Sequence, residues 1–316
     1  MRDAVSAPIT FPWDEPPGEA QAVEIGPGAL WMRLPLTMMK LDHVNVYAFE
    51  DDDGWTIIDT GFDTSHTRHI WAKLIAGPLG GKPIVRVIVT HHHPDHVGLA
   101  GWFQRDHGAE LITTRTSWLF ARMLLLDEQM VPVDETLAYW RSAGMEEDIY
   151  EARRVQRPFN YVDLVADMPL GFRRIKHGDV IRFGARDWDV RIGNGHAPEH
   201  ATLWSRDCDL VIGGDQLLAT ISPNLGVYAT EPAADPVRAW LESCAALSEF
   251  ARDSHLVLPG HKLPYRGLPT RMRQLIANHH TALDRLLDAL ETPHTAVECF
   301  AALYKRQIGA ANTGLP

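Results

Sequence analysis

The sequence predicts a layered α/β sandwich, and three observations predict it. Short apolar, β-branched runs alternate with stretches of helical period. The alternation occurs in two β-rich halves, separated by one helical segment and followed by another. Several of the apolar runs end abruptly in histidine or aspartate, which is how a buried strand delivers polar groups to one edge of an α/β sheet. At 316 residues the chain is long enough for one large core, or one core with an appended lobe.

The elements follow in order. Residues 1–21 read as a Pro-rich arm with early acids and no apolar signal-peptide core. From residue 22 the chain turns to β structure. HVNVYAFE (43–50) and WTIIDTG (55–61) are strands around a DDDG turn, and residues 64–77 form a helix carrying Ile70, Leu74 and Ile75 on one side. PIVRVIVT (83–90) is a nearly continuous apolar run, the mark of a strand buried on both faces. Residues 114–160 read as a helical insertion, its first helix capped by Thr116 or Ser117 and its second by Asp134. Strand and turn signals resume over 171–195 and again over 204–218. Asp235 caps a helix with Pro236 at its first position and Val237, Trp240, Leu241 and Cys244 on one face. HLVLPGH (255–261) is another buried strand, and helices are expected over 271–290 and 295–305. The main domain is therefore expected over 22–265, with a helical C-terminal extension over 266–316.

Composition narrows the function. Lys and Arg number 30 against 41 Asp and Glu, a formal charge of −11, so no basic footprint marks a nucleic-acid partner. No run approaches the roughly 20 apolar residues of a membrane span. Cys208, Cys244 and Cys299 are widely spaced without a CxxC pair; they read as small apolar fillers in a reducing compartment, the cytoplasm. His279 and His280 on the tail helix read as a solvated or partner-facing pair, which leaves a homo-oligomer open.

The chemistry concentrates in His91-His92-His93-Pro94-Asp95-His96. Residues two apart at an extended strand end point the same way, so His91 and His93 can grip one metal, while His92 points opposite. Asp95 and His96, beyond Pro94, can reach a second position. Four such groups do not close two sites. Three more follow at the ends of apolar strands: His196 in GNGHAPEH, Asp215 in VIGGDQ and His261 in LVLPGH. Five imidazoles and two carboxylates suit a borderline cation such as zinc.

THHHPDHVG, GHAPEH, GGD and PGH, in this order and preceded by Asp59 in IIDTG, resemble the motifs of the metallo-β-lactamase-fold superfamily over roughly residues 22–265. The resemblance implies an αββα sandwich with a dinuclear centre at one edge. His91, His93 and His196 would hold the first ion, and Asp95, His96 and His261 the second. Asp215 would bridge them, and Asp59 would fix the ligand loop. His200 is either a support behind the ligands or polar packing. The implied cofactor is a pair of divalent metal ions, zinc first, with iron and manganese as alternatives.

Two such ions about 3.5–4 Å apart acidify a shared water, so the implied reaction is attack of a metal-bridging hydroxide on an ester-like bond. Asp95 would orient the nucleophile, and Tyr228 is a candidate donor to the developing oxyanion. The pattern is similar to the glyoxalase II, thioesterase and quorum-signal lactonase branches. Asp215 separates it from the true β-lactamases, and His93 from the flavodiiron proteins. An iron oxidoreductase on the same ligands, or the phosphodiesterase and nuclease branch, are the competing readings. Trp118, Phe120, Met123, Leu124, Leu125, Tyr139 and Trp140 make the insertion apolar enough to serve as a lid over a small substrate with an apolar or acyl portion.

Overall fold

The computed structural model describes residues 7–36 and 41–304. One sheet contains β1 (Val23–Gly26), β2 (Ala29–Pro35), β3 (His43–Asp51), β4 (Gly54–Ile58), β5 (Ile84–Ile88), β6 (Glu110–Thr114) and β7 (Arg173–Ile175), side by side in chain order. Its first four strands are antiparallel; β4 to β7 run parallel. The second sheet contains β8 (Val180–Phe183), β9 (Arg186–Gly193), β10 (His200–Ser205), β11 (Leu210–Gly214) and β12 (Leu256–Pro259), antiparallel except for the β11–β12 pair.

Helices cover both outer faces. α1 (Ser65–Ala76), the short α2 (Pro94–Val97) and α3 (Ala100–Asp106) connect the parallel strands of the first sheet. α4 (Arg115–Leu126), α5 (Asp134–Ser142) and α6 (Glu147–Arg153) form the insertion, and α7 (Pro236–Ser248), α8 (Leu268–Ala289) and α9 (Phe300–Tyr304) belong to the second face.

The layers follow from the period-2 alternation of strand side chains. Ile57, Val87 and Leu111 pack outward against Trp71 and Phe103, whose rings meet edge to face at 5.1 Å. Their neighbours Ile58, Ile88 and Ile112 point inward, onto Trp188, Val190, Leu203 and Leu258 of the second sheet. Val211 and Val257 face the other way, onto Trp240, Cys244 and Met272. The result is an αββα sandwich with three apolar layers, and it explains why the parallel strands read as unbroken apolar runs.

Several local expectations are corrected. α4 follows β6 without a loop, so its cap is Thr114, the last strand residue, whose hydroxyl accepts the Ser117 N–H at 3.3 Å; neither Thr116 nor Ser117 is the cap. Val133 precedes α5, and Asp134 lies within its first turn, where its charge complements the helix dipole. α8 begins at Leu268 rather than Arg271, because Gly267 at φ 87° turns the chain tightly past the Pro8 carbonyl and Pro269 opens the helix. The last helix is confined to Phe300–Tyr304, since Thr295 is held in a turn by the Glu298 carboxylate at 2.7 Å; Lys305 lies outside the described residues. Cys244 and Cys299 are buried fillers, but Cys208 is exposed. His279 is half-buried, its ring tilted against Trp240 at 4.6 Å, while His280 is exposed. Among the described residues no helix is long and apolar enough to cross a membrane.

Candidate metal centre

The ends of β4, β5, β11 and β12 and the start of β10 meet along one edge of the sandwich, and the polar residues that terminate these strands converge there. The ligand atoms of His91, His93 and His196 lie within 4.8 Å of one another, as do those of His91, His96 and Asp215 and those of Asp95, His96 and His261. All seven residues singled out as ligands are therefore gathered at one place. A surface hollow of about 780 Å³ lies elsewhere, among the turns near Glu50, Asp52 and Cys208.

Four of the five rings, all but His93, are held from behind. Asp59, at φ 58° just after β4, accepts the Thr90 N–H at 2.8 Å, the Thr90 hydroxyl at 2.9 Å and the Nδ1–H of His96 at 2.8 Å. Because the Thr90 hydroxyl gives its proton to Asp59, it accepts from Nδ1–H of His91 at 3.0 Å. His196 donates from Nδ1 to the Asn224 carbonyl at 2.8 Å, and His261 donates from Nδ1 to the His43 carbonyl at 2.9 Å. These four back-side bonds engage Nδ1 of each of those rings and direct each Nε2 at the centre.

That arrangement fits a cation and nothing neutral. The Nε2 atoms of His91 and His196 are 3.2 Å apart, and Nδ1 of His93 lies 3.0 Å from the former. Lone pairs gathered so closely repel unless positive charge sits among them. Nearby, Nε2 of His96 and Oδ1 of Asp215 are buried without a hydrogen-bond partner, 3.5 Å from each other. Gly260 is also required here, since a Cβ would collide with the Asp215 carboxylate.

The charge states divide the centre. Burial, reinforced by the neighbouring imidazoles, holds His91 and His93 well below the usual histidine range. For Asp215 burial works to raise the pKa, but His261 and His96 outweigh it and hold the carboxyl well below the ordinary value. Asp95 is lowered against burial by His96 and His261. Against the same opposing effect of burial, Asp215 and Asp95 push His261 up to about 10. The carboxylates are thus held ionised by the His96 and His261 imidazoles, a positive charge that divalent cations would supply in their place.

A match to the model of the metallo-beta-lactamase superfamily spans residues 39–289. The chain belongs to that superfamily. Among its relatives in the superfamily is a protein of Bacillus subtilis (strain 168) named as a probable metallo-hydrolase, YqjP, 27% identical over 290 residues, or 88% of this chain and 86% of the relative. A beta-lactamase domain protein from Burkholderia ambifaria superposes with a TM-score of 0.87 at 32% identity, covering 97% of this chain and 89% of that one. The metallo-beta-lactamase family protein TTHA1429 from Thermus thermophilus gives 0.74 at 25% identity, with 92% of each chain covered. Superfamily membership together with the His/Asp clusters implies divalent metal ions, and the relative's name supports a metal-dependent hydrolase.

The supporting residues fall differently. His92 turns away, as alternation requires, and packs on Phe120 at 4.9 Å. His200 lies behind the ligands: its ring stacks on His91 at 4.6 Å and its Nε2 accepts the Asp215 N–H at 3.1 Å. Tyr228 is 40% exposed, and among the described residues no hydrogen bond joins its hydroxyl to the ligand set. Thr90 escaped the sequence reading, although it couples Asp59 to His91. Glu199 escaped it too; at φ 51° it sends its carboxylate to the N–H of Thr116, 2.9 Å away, tying the His196 loop to α4. The Asn224 and His43 carbonyls carry no sequence signal, because any residue type supplies them.

Of the apolar insertion residues, Trp118, Leu124 and Leu125 pack on the outer core of the first sheet. Trp140 joins Met145 and Tyr150 in a small core of the insertion itself. Phe120 reaches the centre through His92, and Tyr139 donates its hydroxyl to the Val227 carbonyl at 2.9 Å, three residues after Asn224.

Proposed function

We propose that the protein is a dinuclear metallohydrolase that cleaves an ester-like bond, a thioester, lactone or ester, in a small substrate with an apolar or acyl portion. One observation carries the dinuclear reading: a single carboxylate, Asp215, reaches both clusters. Its Oδ2 is 3.4 Å from Nε2 of His196 and 3.2 Å from Nε2 of His261, and its Oδ1 is 3.5 Å from Nε2 of His96. His91, His93 and His196 would hold one ion and Asp95, His96 and His261 the other, with Asp215 between them. The imidazole and carboxylate donors favour zinc over softer or harder cations.

The ions, when bound, supply Lewis acidity and lower the pKa of a coordinated water toward neutrality. The chain supplies the rest. Asp95, ionised and 3.3 Å from His261, would orient the attacking water and accept its proton. Asp59 and Thr90 keep the rings from turning, which preserves the site between turnovers. The Tyr228 hydroxyl, on the same loop as Asn224, is the candidate donor to the oxyanion. The apolar insertion beside His92 supports an acyl-bearing substrate, and the unpaired cysteines support a cytoplasmic setting.

The test is a hydrolysis panel of acyl-thioesters, lactones, phosphodiesters and β-lactams on protein of measured metal content. Turnover of thioesters or lactones that rises with bound metal is expected. Activity confined to phosphodiesters or β-lactams, or iron-dependent oxygen uptake without hydrolysis, overturns the proposal.

A further inference from the structure

α4 is apolar on two opposite faces, and only one of them is used. Ser117 and Ala121 are buried, and Trp118, Leu124 and Leu125 pack beside them on the first sheet. On the far side Leu119, Met123 and Leu126 follow one another at helical spacing and are 51%, 45% and 80% exposed. Met130 and Val131, just beyond the helix, are also exposed. The surface is firmly built: Asn160 holds the Gln129 backbone on both sides, accepting its N–H at 2.6 Å and donating to its carbonyl at 2.9 Å.

The ends of this stripe carry opposite charges. Arg115, exposed, is the first residue of α4, and Asp127, exposed, caps its last turn. Arg115 lies near enough to Glu199 to help lower that carboxyl, and Asp127 accepts the Gln129 side-chain amide at 3.1 Å. Among the described residues neither takes part in an ion pair.

We infer that this face of α4 is a dimer interface, paired with α4 of a second copy running antiparallel about a two-fold axis at the level of Ala121. That register sets Leu119 against the partner's Met123, and the same register sets Arg115 against the partner's Asp127. A two-fold contact demands a self-complementary patch, and a helix that is basic at one end, acidic at the other and apolar between is one. The charge pattern disfavours a lipid surface, which selects cationic flanks, on a chain of net charge −11. It is also not the substrate face: Phe120, about 100° further round the helix, is the residue that meets His92.

The experiment is sedimentation velocity on the intact, metal-analysed protein over a wide concentration range. A dimer at micromolar concentration is expected for the natural chain. Leu126→Asp should give monomer with unchanged metal content, so that misfolding is separated from dissociation. Arg115→Asp and Asp127→Arg should each weaken the dimer at least about tenfold, because like charges then face each other, and the double variant should restore it. A natural chain that stays monomeric at high micromolar concentration overturns the inference. So does a dimer indifferent to Leu126→Asp, single charge variants that the double variant fails to rescue, or capture by anionic vesicles in place of self-association. None of these outcomes depends on which ester the centre hydrolyses.

Discussion

The two ligand clusters share an edge of the same sandwich but are built from opposite materials. His91, His93 and His196 present three ring nitrogens, and burial keeps His91 and His93 neutral. Asp95, His96 and His261 form an ion-pair network, in which ionised carboxylates hold His96 well above the usual histidine range against the opposing effect of burial. The difference teaches where charge is left over. Neutral donors leave a divalent ion almost fully charged, suited to polarising a carbonyl oxygen. Carboxylate donors offset the ion's charge and provide an acceptor for a proton. Asp215 joins the halves, so it is where the comparison is most easily broken.

The largest effect is therefore expected for Asp215→Ala. Metal content should fall together with turnover, the latter on the order of a thousandfold, because both clusters lose a shared ligand. His261→Ala should instead leave the three-imidazole cluster loaded. Metal analysis of the two variants, alongside turnover on the best substrate, checks this. Two full equivalents of metal and natural turnover in Asp215→Ala would show that the clusters are independent.

Asp59→Asn sharpens the comparison at intermediate size. Asp59 touches His96 directly but reaches His91 only through the Thr90 hydroxyl. Losing its charge should weaken metal affinity at the carboxylate cluster by about 10-fold to 100-fold, with a smaller loss at the imidazole cluster. Competition with a chromogenic chelator resolves the two affinities; equal losses at both would mean that the hydroxyl transmits as much as a direct bond.

What the sequence made legible follows the same division. The ligands were readable because strand ends force alternating residues to one side: His91 and His93 together, His92 away. A layered α/β sandwich was readable because runs such as Val87-Ile88 must bury both members of the pair, whereas the αββα order came from the motif resemblance. The carbonyls behind His196 and His261 were invisible, since backbone acceptors leave no residue signature. The start of α4 was misplaced because Thr114 serves two elements at once, closing a strand and capping a helix. Glu199 was passed over because its partner is the backbone N–H of Thr116, 83 residues away along the chain. His279 read as polar, yet its ring covers Trp240, a contact that only the packing of α8 on α7 creates.

The smallest expected effect concerns how the insertion communicates with the imidazole cluster. Tyr139 of α5 donates to Val227, and Asn224 on the same short loop accepts from His196; the corresponding support of His261 comes from His43, on β3. Through this loop the insertion is coupled to the imidazole cluster. Tyr139→Phe removes a single part-buried hydrogen bond, which contributes about 1 kcal/mol. If that bond positions the loop over the substrate, KM should rise a few-fold while kcat and metal content stay at natural values. A loss of metal from the imidazole cluster would instead make the loop a structural brace for His196. Unchanged kinetics would uncouple the insertion from the centre and leave Glu199 as its remaining tie to the His196 loop.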